Sequence, residues 1–389
     1  MELVPRTADL DEAWDALVDG SPEGWVFALA GWQRLILSVP DWGLKEHSIG
    51  IVHGGDLLAV LPLQHQPVAR RVGSSGFGGA GPVVAAGVPP GLRRRTCDRL
   101  FQHVFDVCRD VGALRLDMAQ SPVTRAALGN RWGVAPYLEY GLRDTSTVSR
   151  VTRLDVSEED LWRGLSQNAR QMARRAQSSG YTVERTDWSG QVDDYYRTHE
   201  ETYRRTGVTP HPRAYFEGIA REMGPRGRAV LWVGRSPEGA AVAFHNDARM
   251  ADASMYHTGC CETAHLGAGI NYLLFWEAIR GARQEGCRWY ELGEVFPFPR
   301  TDKERGLSVF KSKFGGELHR SFKWVREWQD MAGLDSTPAM ADASGPLVPG
   351  PAVEPTAATP PWSSHPGRLA ARLRSGTHRL WNILARAVR

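Results

Sequence analysis

Tyr256 to Glu317, YHTGCCETAHLGAGINYLLFWEAIRGARQEGCRWYELGEVFPFPRTDKERGLSVFKSKFGGE, is the stretch that decides the fold of this chain. It reads as a strand, a Gly-rich turn, a helix, a second strand, a loop and a basic helix. Leu273, Leu274, Trp276, Ala278 and Ile279 give the first helix the broad apolar side of a helix packed on a sheet. Gly286 stands where a helix C-terminal cap belongs, and Arg-Trp-Tyr-Glu-Leu up to Leu292 then alternates as a short strand does. The Gly- and Pro-rich loop that follows delivers Phe310, Lys311, Lys313 and Phe314.

Upstream, 191–206 and 212–223 read as paired helices, and 229–234 and 240–247 as strands around the turn at Pro237 and Gly239. The first half repeats this order. Helices are expected over 11–18 and 30–39, and a Gly54-Gly55 turn joins two alternating runs as a hairpin. FQHVFDVCRDVGALRLDM matches LFWEAIRGARQEGCRWYEL with Gly112 on Gly286, and ALGNRWG falls on VFKSKFG. Such matches at offsets of about 174 to 182 residues mark a duplicated fold, an α/β mixed sheet with helices on both faces. The halves differ in charge. The second carries Arg170, Arg174, Arg175, Lys311 and Lys313, which places the chemistry there or in the crevice between the halves.

With 389 residues the chain exceeds one average core, so two domains are expected. A net charge of +3 does not by itself imply nucleic acid. Five cysteines without framework spacing fit a reducing cytoplasm, and the acidic, polar N-terminus is not a signal peptide. Residues 331–366, rich in Pro, Ala, Ser, Thr and Gly, read as a disordered linker. Residues 367–389 read as a basic amphipathic helix, with Leu369, Leu373, Leu380, Leu384 and Val388 on one face and six Arg around them. An anionic membrane surface, a nucleic acid, an acidic partner or the chain's own fold would each suit such a helix.

Three elements carry a family resemblance. Gly306 to Glu317, GLSVFKSKFGGE, resembles the FKxxFGG element of FemAB-like transferases, and the strand end Tyr290-Glu291-Leu292-Gly293 resembles the YDLGG-like element before it. Leu165 to Gly180, LSQNARQMARRAQSSG, resembles the basic helix that opens the second half in that group. The resemblance runs through about residues 5 to 328 in order and in its duplication. It implies a tandem GNAT-like (acyl-CoA N-acyltransferase) fold of two lobes, 1–150 and 151–330 with the second catalytic, and acyl transfer to an amine. FemAB members draw on aminoacyl-tRNA to extend peptidoglycan bridges, whereas sister groups similar to the CelD/BcsL acetyltransferases use acyl-CoA. This chain departs in lacking a long coiled-coil arm, in having Glu291 for Asp, and in having Glu294 where Gly is common. These departures favour an acyltransferase of the wider group, acting in cell-envelope or natural-product biosynthesis.

The residues fit that chemistry. Amide formation needs a neutral amine at a polarised carbonyl and a leaving group that can be protonated. Lys311 beside the crevice is a candidate to hold a phosphate or stabilise oxyanion charge, against a snorkelling surface lysine. Glu291 is a candidate to accept or orient the amine proton, against a strand-end cap. Arg170, Arg174 and Arg175 share a helix side suited to a phosphate or tRNA backbone, or form a solvated basic face. Gly267, Gly269 and Asn271 open a helix as a pyrophosphate loop does, with Ala264 where Gln or Arg is usual. Phe310, Lys313 and Tyr256 complete the substrate-binding set, and His245 lies on a neighbouring central strand. No bound cofactor or metal is expected. His257, Cys260, Cys261 and His265 match no common zinc spacing. A scaffold that has lost activity and binds an acidic partner is the non-enzymatic alternative; a crevice filled by side chains would favour it.

Overall fold

The structure is a computed structural model that describes residues 1–74, 81–130 and 133–328. The expected linker and C-terminal helix, Arg131 and much of the first-half Gly-rich run lie outside the described residues. The first half contains β1 (Glu2–Pro5), α1 (Asp11–Gly20), α2 (Ala30–Leu37), β2 (Lys45–Glu46), β3 (Ile49–His53), β4 (Asp56–Leu61), β5 (Gln64–Gln66) and β6 (Arg71–Gly73). It continues through β7 (Val83–Val84), α3 (Pro90–Asp110), β8 (Arg115–Gln120), α4 (Arg125–Gly129), β9 (Arg143–Asp144) and β10 (Thr147–Arg153). The second half opens with α5 (Glu158–Gly164), α6 (Gln167–Ser178), β11 (Thr182–Thr186), α7 (Val192–Thr206) and α8 (Arg213–Gly218). Then come β12 (Ala229–Arg235), β13 (Ala241–Met250), β14 (Ala253–Cys261), α9 (Ile270–Gln284), β15 (Trp289–Val295), α10 (Asp302–Ser312) and β16 (Glu317–Glu327).

The duplication is visible in strand order. β1-β3-β4-β7 in the first half mirrors β11-β12-β13-β14 in the second, and β8 follows α3 as β15 follows α9. The apolar side expected of α9 is buried in full: Leu273, Leu274, Trp276, Ala278 and Ile279 all lie in the core.

The closing strands change the domain picture. β10 pairs antiparallel with β15, and β16 pairs antiparallel with β8, so each half's last strand completes the other half's sheet. β10 and β16 also pair with each other, through Thr147–Val151 against Ser321–Glu317. A boundary at residue 150 therefore falls inside a strand of the second half's sheet. The two lobes form one compact unit because cutting there would leave backbone hydrogen-bonding groups of β15 and β8 without partners. A shared core of Trp14, Phe27, Trp32 and Leu35 from the first half with Tyr195, Phe216, Phe244 and Met255 from the second reinforces the junction. Among the described residues no helix is long and apolar enough to cross a membrane.

Candidate active site

β14 and β15 run parallel, yet they pair only through Ala253, Ser254 and Met255 against Trp289, Tyr290 and Glu291. Each strand carries an extra residue just beyond that contact, His257 on β14 and Leu292 on β15, where the register with its other neighbour shifts. A bulge bends and twists its strand, and two bulges facing one gap part the strands into a wedge. A cleft of about 120 Å³ lies along this opening, lined on its sheet side by His245, Tyr256, Gly259 and Cys261 and on its helix side by Asn271, Phe275 and Phe310. Thr202 and Arg205 at the end of α7 also line it.

The mouth of the cleft is the start of α9. Gly269 has φ +92°, and a Cβ there would stand 2.5 Å from the Met172 carbonyl oxygen of α6. Both conditions require glycine, and they bring α6 against the loop. Gly267 is free of that crowding. Asn271, in the first turn of α9, lines the cleft beside Cys261, whose thiol donates to the Glu262 carbonyl oxygen at 3.4 Å. Such a helix start offers backbone N–H groups to an anion, while Ala264 beside it is exposed and brings no charge.

Glu291 and Lys311 lie just outside the cleft, behind Gly293. Glu291 is 4% exposed. Burial pushes its carboxyl up to about 7, against the opposing pull of the Ser149 hydroxyl and of Lys311. Its Oε2 has no hydrogen-bond partner among the described residues. Lys311 donates from Nζ to the Glu294 carbonyl oxygen at 2.8 Å. Burial lowers its pKa while Glu291 and Glu294 raise it. Gly293, at φ +94°, makes room: a Cβ would meet Lys311 Nζ at 2.6 Å. Glu294 in turn pairs with Lys323 at 2.9 Å.

The duplication supplies an internal control. Asp117 on β8 is the counterpart of Glu291, and its carboxylate is taken up by Arg115, at 2.9 and 3.0 Å, with Arg71 at 3.7 Å. Gly129 stands where the second half has Lys311. The first half thus neutralises its acid as a structural ion pair, while the second keeps a buried carboxyl with one open oxygen beside a lysine.

The other expected residues divide. Phe310 packs on Tyr272, Phe275 and Phe314 as one wall of the cleft, and Tyr256 packs on His245 and Phe275. Lys313 donates to the Tyr272 hydroxyl at 2.9 Å, behind that wall. The three arginines do not converge. Arg170 donates to the carbonyl oxygens of Arg163 and Leu165, closing the end of α5, and Arg174 lies over the Trp162 ring at 5.3 Å. Arg175 is exposed. The helix side was legible, but the α5 carbonyls and Trp162 occupy two of the three guanidinium groups.

His257 hydrogen-bonds Tyr215 at 3.1 Å and packs on Phe27 and Trp32, whereas His265 bonds Tyr181 at 2.8 Å. These two histidines do not meet, and no group of three or more metal-ligating side chains occurs among the described residues. Phe27, Trp32 and Tyr215 fill the space between the halves on this face of β14. The open volume is the cleft between the splayed part of β14, the start of α9 and Phe310. One group escaped the sequence reading in its full form: His245, Asp247 and Tyr290 make a buried hydrogen-bonded trio behind the cleft. The spacing of His245 and Asp247 on one strand face was the available signal.

Residues 163–304 match the family model described as an acetyltransferase (GNAT) domain. No curated protein matches the chain. Among solved structures, FemX is similar at 16% identity and TM-score 0.63, over 84% of this chain and 98% of that one. A tandem GNAT protein from the clavulanic acid biosynthesis pathway is similar at 16% and TM-score 0.51, with coverages of 84% and 98%. The C-terminal domain of a putative lysylphosphatidylglycerol synthetase from Agrobacterium fabrum is similar at 16% and 0.50, with coverages of 85% and 96%. At these identities the likeness is one of fold: a tandem GNAT arrangement.

Proposed function

From a chain that is an acyltransferase with its GNAT domain over residues 163–304, we propose an N-acyltransferase that forms an amide on an amino acceptor, drawing its acyl group from acyl-CoA. The observation that carries this reading is the wedge between β14 and β15, with a helix N-terminus at its mouth and the Glu291–Lys311 pair at its side. The donor's phosphates would meet the backbone N–H groups around Gly267 and Gly269 and the side chain of Asn271. The acyl group would then lie along the apolar wall of Phe275 and Phe310. Lys311 would counter the negative charge that develops as the amine attacks, and Glu291 Oε2 would receive and orient the amine. The second half is the catalytic lobe in this reading and the first half its support. The acceptor belongs to cell-envelope or natural-product chemistry.

An aminoacyl-tRNA donor is the second reading, favoured by the higher fold likeness to FemX. In it, exposed Arg175 and the α7 arginines would face the nucleic acid. Incubation with radiolabelled acyl-CoA, or with tRNA charged with a labelled amino acid, in the presence of a panel of soluble amines tests both. Label appearing on an amine from one donor identifies it. Label moving from neither donor contradicts the reading.

A further inference from the structure

The cleft is lined by few groups able to carry a proton. Arg205 is a permanent cation. Burial raises the Cys260 thiol and pushes the Cys261 thiol up to about 12, and it raises the Tyr256 hydroxyl as well. His245 remains, and imidazole is the side-chain type that most often serves as a general base.

Its surroundings fix how it stands. His245 is 2% exposed, on the long central strand β13. Nε2 lies 2.9 Å from Asp247 Oδ1 and 2.7 Å from the Tyr290 hydroxyl oxygen, while that hydroxyl donates to Asp247 Oδ1 at 2.6 Å. That hydroxyl also lies within donating reach of Nε2, and the carboxylate is the stronger acceptor for its proton. With the tyrosine proton on the carboxylate, Nε2 faces two acceptors and would carry the ring proton, leaving the lone pair on Nδ1. Across the sheet, His245 pairs with Gly259 on β14. Gly259 brings no side chain of its own, and the space over it is taken by the Tyr256 hydroxyl, which a Cβ would meet at 2.7 Å. The imidazole lines the cleft between the Tyr256 and Phe275 rings, beside the stretch of β14 that does not pair with β15.

On the acyl-transfer reading above, on which this rests, we propose that His245 takes the proton of the attacking amine at Nδ1 and returns it to the leaving group, with Asp247 and Tyr290 as positioning residues. The amine nitrogen forms its bond to the donor's carbonyl carbon as its proton passes to Nδ1. The tetrahedral adduct then collapses, the bond from carbon to the leaving group breaks with its electron pair on that group, and Nδ1 gives the proton back. The products are the amide and the protonated leaving group, with no other reactant consumed. Between the two steps the imidazolium is held by the Asp247 carboxylate.

Two measurements test this. In ¹⁵N-histidine-labelled wild-type protein, with the His245 resonances assigned by their absence in His245→Gln, the ring shifts report the tautomer. A proton on Nε2 and a bare Nδ1, perturbed on adding acetyl-CoA, supports the proposal, and a proton on Nδ1 overturns it. In the label-transfer assay His245→Gln should lower kcat about 10²–10⁴-fold, leave the donor KM nearly unchanged, and flatten the acidic limb of the kcat/KM profile. Tyr290→Phe should shift that limb. Wild-type kcat and pH profile in a folded His245→Gln protein would overturn the proposal and leave the acyl-transfer reading standing. Failure of wild-type protein to move label from either donor would bring down both.

Discussion

Glu291→Gln is the substitution whose effect can be worked out before any substrate is known. Glutamine keeps the volume and can still accept from Ser149, but it carries no charge. The carboxyl titrates ordinarily near 4.5, and burial raises it to about 7 in the folded protein. Between those values the folded state binds more protons than the unfolded state, so the group lowers stability as pH rises. The penalty is absent below about pH 4.5 and complete above about pH 7, with a ceiling of roughly 3 kcal/mol. Lys311 loses a nearby carboxylate in the variant, which takes back part of the gain, so about 1–3 kcal/mol is expected. Urea unfolding of both proteins at pH 5 and pH 8 reads the difference. Relative to wild type, the variant should gain stability between the two pH values. Parallel pH dependence, or wild type gaining on the variant, would refute the argument that burial outweighs the lysine.

Lys311→Ala should cost turnover about 2.7–4 kcal/mol, by analogy with oxyanion donors, against roughly 1 kcal/mol of stability for the lost bond to the Glu294 carbonyl; paired kinetics and denaturation separate the two, and unchanged turnover in a folded variant would make it a structural lysine. Gly269→Ala should lower stability by about 1–3 kcal/mol, through its left-handed backbone and the Met172 carbonyl at 2.5 Å, and abolish donor binding, which calorimetry with acyl-CoA measures. Removal of residues 331–389 should leave turnover on a soluble amine intact but abolish sedimentation with anionic vesicles, since six arginines at about 1 kcal/mol each could hold the chain there. Full-length protein that ignores such vesicles at low salt would refute the membrane role.

Sequence made the second half legible because its signals are local. The apolar side of α9, the glycine after it and the alternation of β15 each depend on residues a few positions apart, and the structure has all three elements. The repeat was legible for the same reason, one half serving as a template for the other. The exchange of β10 and β16 was not, because a strand's periodicity tells which face is buried and not which strand lies beside it. Glu291 was recognisable as a strand-end acid from its resemblance. Its burial and the pull of Ser149 on its carboxyl follow only from that unforeseen pairing with β10. The arginines of α6 failed as a cluster on a similar ground: helical spacing set their side, while α5 and Trp162 decided what remained free. Tyr290 was read as part of a motif, and its bond to Asp247 crosses beneath β14, beyond any sequence window.

The central claim is that the acyl donor lies in the wedge between β14 and β15. A structure of the protein with a non-transferable acyl-CoA analogue bound tests it most directly. The account predicts the phosphates at the start of α9, around Gly267 to Asn271, and the acyl carbonyl beside the open edge of β14 between Tyr256 and Gly259. A donor bound in the first half, or on the α6 face with the wedge left empty, would contradict it.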